Sequence, residues 1–538
     1  MTKSFRRYLI TIIAPFLFFV SCGREKLQKK EPKRPNIVFI MSDDHAYQAI
    51  SAYNDKLIQT PNIDRIAKEG MLFTNATVTN SICAPSRAVI LTGKHSHING
   101  KIDNLSPFDT TNVTFPQLLK ASGYQTAMFG KLHFGNNPKG FDEFKILPGQ
   151  GDYYNPRFIT SKGDTTVTGY VTDIITDLTL DWMERRRDTT KPFLLMYLHK
   201  APHRTWMPAP RHFKAFTKKT FPLPDNLFDD YSDRGTAAET AEMRLLKHMQ
   251  LSYDLKIPDS IADRLDIKNW NQLGNRIDRL SPEQRAVWDS VYNPIAESFA
   301  KEFPTMNDSI LTVWKYQRYM QDYLGSIAAV DENVGRLLDY LDNKGLSDNT
   351  VVVYTSDQGF YLGEHGWFDK RFMYNESFKT PLLIKWPNVI KPGITEDEMV
   401  QNLDFAQTFL EMAETTAPAD MQGESLLPLL KGDKKGWTRD AVYYHYYEYP
   451  AEHAVKRHYG IANKAYKIIH FYHDTDEWEL YDLKQDPNEM RNVANDPSYA
   501  NVFSKMKADL AEIRIKYKDS EELDKKFIQR YRDAGRIE

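Results

Sequence analysis

Along the chain, short continuous apolar runs alternate with stretches of helical period, the pattern of a parallel sheet covered by helices on both faces. Four of the runs end alike. NIVFIMSDD stops at Asp43 and Asp44, and YQTAMFGKLH breaks at Gly130 and delivers Lys131 and His133. KPFLLMYLHKAPH runs into Pro202 and His203, and the β-branched run TVVVYTSDQG stops at Asp357, Gln358 and Gly359. In an open α/β sheet the carboxyl ends of the strands share one edge, and ligands bind there. Residues hundreds of positions apart are therefore predicted to meet. A lone Asp-Asp pair after a strand is commonly a turn or helix cap. Four polar clusters of complementary chemistry need another explanation.

Between the third and fourth runs, an insertion over about residues 205–310 is rich in proline and charge and predicts less regular structure. It leads into WKYQRYMQDYLGSIAAVDENVGRLLDYLDNKG, where Tyr323, Ile327, Val330, Val334, Leu337, Leu338 and Leu341 fall at helical spacing and Gly345 suits the stop. A packing helix is predicted there, feeding the Asp357 strand. Past ESLLPLLKGD the pattern shifts to short alternating strands, AVYYHYYEY, YGIANKAYKIIHFY and WELYDLKQDP, then one charged helix to the C-terminus. The predicted organisation is a main domain over 35–435 and a smaller antiparallel subdomain over 436–538.

At the start, Lys3, Arg6 and Arg7 precede the apolar run Tyr8–Val20, too short for a spanning helix and of the length of a secretory signal core. The run ends at Val-Ser-Cys, which resembles a bacterial lipoprotein cleavage site. Residues 1–21 accordingly read as a signal peptide, Cys22 as the lipidated mature N-terminus, and residues 22–34 as a charged, flexible tether. The expected location is a periplasmic, membrane-anchored lipoprotein, with the cell surface as the alternative. With Cys22 so used, Cys83 has no partner, which excludes a disulfide framework and argues against a cysteine-based zinc site. The net charge of −2 supplies no global field for nucleic acid.

Asp43, Asp44, Asp357 and Gln358 offer only oxygen, which suits a hard divalent cation, calcium before magnesium, and not zinc. Arg87, Lys131, His133, His203 and Lys370 add positive or proton-bearing groups. A hard cation ringed by such groups binds an oxyanion, sulfate or phosphate, and stabilises charge developing on it.

The segment Cys83-Ala84-Pro85-Ser86-Arg87, followed by Leu91-Thr92-Gly93, resembles the maturation signature of the type I sulfatases. Gly-Lys-x-His at 130–133, Ala-Pro-His at 201–203, Ser-Asp-x-Gly at 356–359 and Gly-Glu-His-Gly with a lysine at 363–370 extend the resemblance over about residues 35–500. It implies an alkaline-phosphatase-like α/β fold, a large mostly parallel sheet between helices. It also implies a maturing enzyme that oxidises Cys83, expected at a loop edge, to formylglycine. One hydroxyl of the hydrated aldehyde attacks the ester sulfur, and deprotonation of the second expels sulfate, an exit that a plain thiol lacks. By the same resemblance Asp43, Asp44, Asp357 and Gln358 hold calcium together with the hydrated residue 83, and Arg87 and Lys131 stabilise the diol and the sulfate oxygens. His133 serves as base for the elimination, while His203 and Lys370 contact the ester and His203 protonates the leaving alcohol. Gln358 stands where the family often has Asn or His.

MSDDHAYQAISAY, YTSDQGFYLGEHGWFDKRFMYNES and YYHYYEYPAEHAVKRHYG are most similar to the bacterial branch that removes 6-O-sulfate from N-acetylglucosamine in heparan- and heparin-type fragments. His365, Trp367, Asp369, Arg371, His445, Glu448 and His458 are the expected substrate contacts, since a sugar pocket needs polar groups and an aromatic wall. An iduronate 2-O-sulfatase, another carbohydrate sulfatase, a formylglycine-dependent phosphonate or phosphodiester hydrolase, and a glycan-binding lipoprotein without activity are the alternatives.

Overall fold

The four apolar runs form the inner strands of a ten-stranded sheet in a computed structural model that describes residues 1–2, 34–267 and 273–537. Residues 3–33, which hold the expected signal core, Cys22 and nearly all of the tether, lie outside the described residues. In spatial order the inner strands are Thr350–Ser356, Asn36–Ser42, Phe193–Leu198 and Gln125–Lys131, all parallel. Leu382–Lys385, Met71–Phe73 and Ile394–Glu396 extend one flank, and Glu143–Leu147, Arg157–Thr160 and Gly163–Thr166 the other. Antiparallel pairs occur only on these flanks.

The register brings the polar ends level. Ser42 pairs with Ser356, and Leu198 pairs with both Met41 and Gly130, so Asp43, Asp357 and Lys131 leave the sheet at one edge. Gly130 does not break its strand, as expected from sequence, but lies inside it. Its φ is 113°, and a Cβ there would meet the Leu198 carbonyl oxygen at 1.7 Å, so glycine is what lets the two strands approach.

Every residue of Asn36–Ser42 is buried because both faces are covered. Val38 and Ile40 pack with Val330, Val334 and Leu337, whereas Ile37, Phe39 and Met41 pack with Ala84, Ala88, Phe405 and Phe409. Each such side chain contributes roughly 1.5–3 kcal/mol by leaving water. The predicted packing helix spans Asp308–Asn343, 36 residues and about 54 Å at 1.5 Å per residue. Tyr323, Ile327, Val330, Val334, Leu337, Leu338 and Leu341 are all buried on it.

Two expectations are corrected. The insertion contains a regular helix, Pro282–Glu302, started by a reciprocal Ser281–Gln284 capping box that the stretch SPEQ already carries. The single C-terminal helix is two, Ala500–Lys516 and Glu521–Asp533, with the Ser520 side chain capping the second. Before them Ala441–Tyr446, His458–Asn463, Tyr466–Phe471 and Glu477–Asp482 form an antiparallel four-stranded meander. No described helix is long and apolar enough to cross a membrane.

Candidate active site

Cys83 is the first residue of the helix Cys83–Thr92 and is wholly buried, not at a loop edge as expected. The first N–H groups of a helix have no partner within it, and Ile82, preceding Cys83, has no side-chain oxygen to offer. Asn104 Oδ1 accepts the Ala84 N–H instead at 3.0 Å, and Glu448 Oε2 accepts the Asn104 N–H at 2.7 Å. Arg87 follows Cys83 by four residues, so both lie on one helix face. Its Nε donates to Asp357 Oδ2 at 2.9 Å, its Nη2 lies 3.4 Å from Asp43 Oδ1, and its Nη1 donates to the Lys131 carbonyl.

Carboxylate oxygens of Asp43, Asp44 and Asp357 lie within 4.8 Å of one another, as do Asp43, Cys83 Sγ and a His203 ring nitrogen. Asp43 pairs with Lys131, and Asp44 Oδ2 lies 2.7 Å from Lys370 Nζ and 3.7 Å from His203 Nε2. Burial drives these carboxyls up, reaching about 6 for Asp44 and about 7 for Asp357, where the Asp43 charge adds to it. Burial pushes Asp43 the same way, but Lys131, His203 and Arg87 outweigh it and hold this carboxyl well below its usual range. Three packed carboxyls, two of them with raised affinity for positive charge, plus two buried oxygens without hydrogen bonds among the described residues, Asp43 Oδ1 and Gln358 Oε1, fit a hard divalent cation. The Gln358 amide nitrogen faces Asp44 Oδ1 and lies 3.8 Å from Cys83 Sγ; a half-turn of the amide presents its oxygen there.

The remaining expected groups surround this cluster. Lys131 also donates to Gln150 Oε1. His133 adopts a φ of 67° and keeps Nδ1 free of partners among the described residues; burial and neighbouring Lys131 depress its pKa, so the ring is neutral at pH 7. In His203 the Nδ1–H donates to the Arg204 carbonyl at 2.7 Å, which aims Nε2 at Asp44, and Tyr153 Oη donates to the His203 carbonyl at 2.6 Å. Burial depresses His203 as well. Lys379 lies 3.4 Å from Asn75 Oδ1 and not at the cluster, so Lys370 is the lysine that reaches it.

The expected substrate contacts divide. His365, Trp367, His445 and His458 are buried packing residues, and that expectation is corrected for all four. His365 Nδ1 lies 2.9 Å from Asp229 and 2.8 Å from Arg234, while Trp367 stacks between Tyr231 and Phe372. His445 joins Asp519 and Tyr472 Oη, each at 2.8 Å, and His458 stacks on Tyr444. Their chemistry read correctly as aromatic and polar, but strand period alone did not say which face is covered. Glu448 is buried and holds Asn104. Asp369 and Arg371 do flank Lys370, joined to each other at 3.0 Å, with His453 Nε2 3.4 Å from Asp369 Oδ2. Sequence reasoning missed Gln150, Asn104, Lys200, Arg204 and His453. A cavity of about 700 Å³ beside this cluster is lined by Arg204, Lys247, His248, Tyr253, Glu452 and His453 among others.

Comparison with known proteins adds to this geometry. A family model described as "Sulfatase" matches residues 35–415, and one described as "N-sulphoglucosamine sulphohydrolase, C-terminal" matches residues 363–516. An N-acetylglucosamine-6-O-sulfatase of Bacteroides thetaiotaomicron is 49% identical over 526 residues, which is 96% of this chain and 93% of that protein. A solved structure, described as a complex with its substrate D-glucosamine-2-N,6-O-disulfate, superposes with a TM-score of 0.87 at 49% identity, covering 91% of this chain and 99% of that one. A phosphonate monoester hydrolase from Silicibacter pomeroyi, 20% identical with a TM-score of 0.65 over 90% of this chain and 96% of its own, shares the alkaline-phosphatase-like fold alone. With the family model spanning most of the folded chain, this protein belongs to the sulfatase family and is a sulfuric ester hydrolase.

Proposed function

We propose that the protein hydrolyses the 6-O-sulfate ester of N-acetylglucosamine or N-sulfated glucosamine in heparan- and heparin-type fragments, using a formylglycine made from Cys83 by a maturing enzyme. The observation that carries the reading is the meeting of Cys83 Sγ, the Asp43 carboxylate and a His203 ring nitrogen within 4.8 Å beside two further carboxylates. The thiol itself is a poor nucleophile here, because burial and Asp43 push its pKa well above the ordinary range. The relatives' substrates support the choice of sugar and position.

Asp43, Asp44, Asp357 and Gln358 would hold the cation, and their all-oxygen donor set suits calcium. When bound, it supplies Lewis-acid stabilisation of the oxyanion and of an ionised hydroxyl. Residue 83, once matured and hydrated, would supply one hydroxyl as the nucleophile toward sulfur and a second for the release of sulfate. Arg87, fixed by Asp357 and the Lys131 carbonyl, orients residue 83 from one turn along its helix. Lys131 and Lys370 neutralise sulfate oxygens. Neutral His133 accepts the diol proton in the elimination. His203 has its Nδ1–H fixed by Arg204, so Nε2 carries the proton given to the leaving O6; the arriving sulfate charge favours that protonated form. Asp369 and Arg371 stand where the sugar hydroxyls arrive. The chain is anchored in the membrane through lipid on Cys22 and faces the periplasm.

The test is a panel of defined sulfated mono- and disaccharides assayed for released sulfate. Glucosamine 6-O-sulfates are expected to be the best substrates; preference for a 2-O-sulfated uronic acid, or for a phosphonate ester, overturns the reading.

A further inference from the structure

Each carboxylate of the cluster already has a cation. Asp43 pairs with Lys131, Asp44 with Lys370, and Asp357 with Arg87. A fourth cation is left over. Lys200 stands two residues past the strand Phe193–Leu198 and is 2% exposed. Its ammonium has no hydrogen-bond or carboxylate partner among the described residues, only the Tyr153 ring at 4.7 Å to the centroid. The charged groups that act on it are Lys131, Asp43, Arg276 and Asp152, and it acts in turn on His203. Tyr153 in turn donates to the His203 carbonyl at 2.6 Å, so Lys200 belongs to the wall that carries His203.

Burying an ammonium without a counter-ion is costly, and such groups are retained where a ligand supplies the missing charge. We propose that Lys200 is a further anion-holding residue of the reaction site, whose ammonium takes an oxygen of the substrate's sulfate group alongside Lys131 and His203. The inference rests on the sulfatase reading above, and assigns Lys200 a place in it that the family motifs do not carry. Burial and the Lys131 charge bring the Lys200 pKa down to about 7, so an arriving sulfate also draws the side chain to its charged form. The ammonium then strengthens its contact as charge grows on the sulfate oxygens.

The experiment compares wild type with Lys200→Met, Lys200→Gln and Lys200→Arg as matured, cation-loaded enzymes. Inorganic sulfate binding is measured by titration calorimetry, thermal midpoint by melting, and kcat/KM on an aryl sulfate and on a glucosamine 6-O-sulfate. Lys200→Met and Lys200→Gln are expected to weaken sulfate binding at least about tenfold, as expected for losing a hydrogen bond to a charged group. Their midpoints should stay equal to wild type or rise, since an uncompensated buried charge is gone, and Lys200→Arg should bind sulfate nearly as well as wild type. Sulfate affinity unchanged in both neutral variants, or a fall in midpoint that tracks the loss of binding, overturns the proposal. Wild type that binds sulfate and cleaves the aryl ester but no glucosamine 6-O-sulfate overturns the substrate assignment and leaves the role of Lys200 standing.

Discussion

At the scale of single residues, function rests on side chains whose charge state is set by burial and by the charges packed against them. Cys83→Ala is expected to abolish turnover, by about a thousandfold or more, while leaving the thermal midpoint within a few degrees, because alanine keeps the helix start that Asn104 caps. Cys83→Ser should be nearly as inactive, since an alcohol has no second hydroxyl for release; sulfate release at the wild-type rate from either variant contradicts the mechanism. His203→Ala should lower kcat/KM on a sugar sulfate by about a hundred- to ten-thousandfold, the usual worth of a general acid. The same variant should lose far less on an aryl sulfate whose leaving group needs no proton. Equal losses on both substrates would remove the general-acid role. These residues were legible because each sits in a motif of distinctive composition, Cys83 at a helix start and His203 past a strand end. Gln150 and Lys200 were not, since a glutamine or lysine near a strand end is chemically unremarkable until the fold shows what it faces.

At the scale of elements, the four parallel strands and the buried helix that starts at Cys83 do the positioning. Continuous apolar runs are what two-sided burial demands, so the central strands were readable to within a residue or two, and the carboxyl-edge rule placed their ends together. Gly130 was misread because glycine signals both a break and a close backbone approach, and only the Leu198 carbonyl against it decides which. Asn104→Ala leaves the Ala84 N–H without its acceptor, and is expected to lower kcat severalfold with KM little changed. The carboxylate cluster makes a second test. Asp44 and Asp357 titrate in the fold near 6 and 7, above their unfolded value of 3.8. Raised carboxyls bind protons more tightly in the folded state, so the stability they give is complete below the unfolded pKa and is lost as pH rises through the folded ones. Chelated protein should therefore show a falling thermal midpoint between about pH 5 and pH 7, whereas calcium-loaded protein should not, because binding replaces the protons with metal charge. Identical pH profiles with and without chelator count against a cation at these carboxylates.

At the scale of the molecule, residues distant in sequence support the same few ångströms. The C-terminal meander supplies Glu448 to Asn104, and the last helix places Tyr531 Oη 3.2 Å from Asp103, beside it. His445, in that meander, is tied to Asp519 between the two final helices. Asp519→Ala is expected to destabilise the fold by roughly 3–5 kcal/mol, the cost of breaking a buried pair, and to leave KM for a sulfated sugar unchanged. A large rise in KM at unaltered stability would restore His445 to the substrate site. Whole-chain packing is what the sequence conveyed least: alternation revealed a small antiparallel sheet but not which of its faces is covered. The central claim is that a matured Cys83 attacks sulfur, so the S–O bond breaks and the sugar keeps its oxygen. Hydrolysis of a glucosamine 6-O-sulfate in heavy-oxygen water tests it most directly: the label should enter the released sulfate and be absent from the sugar 6-hydroxyl. Label in the sugar hydroxyl, or sulfate released by protein in which residue 83 is still a thiol, would contradict the account.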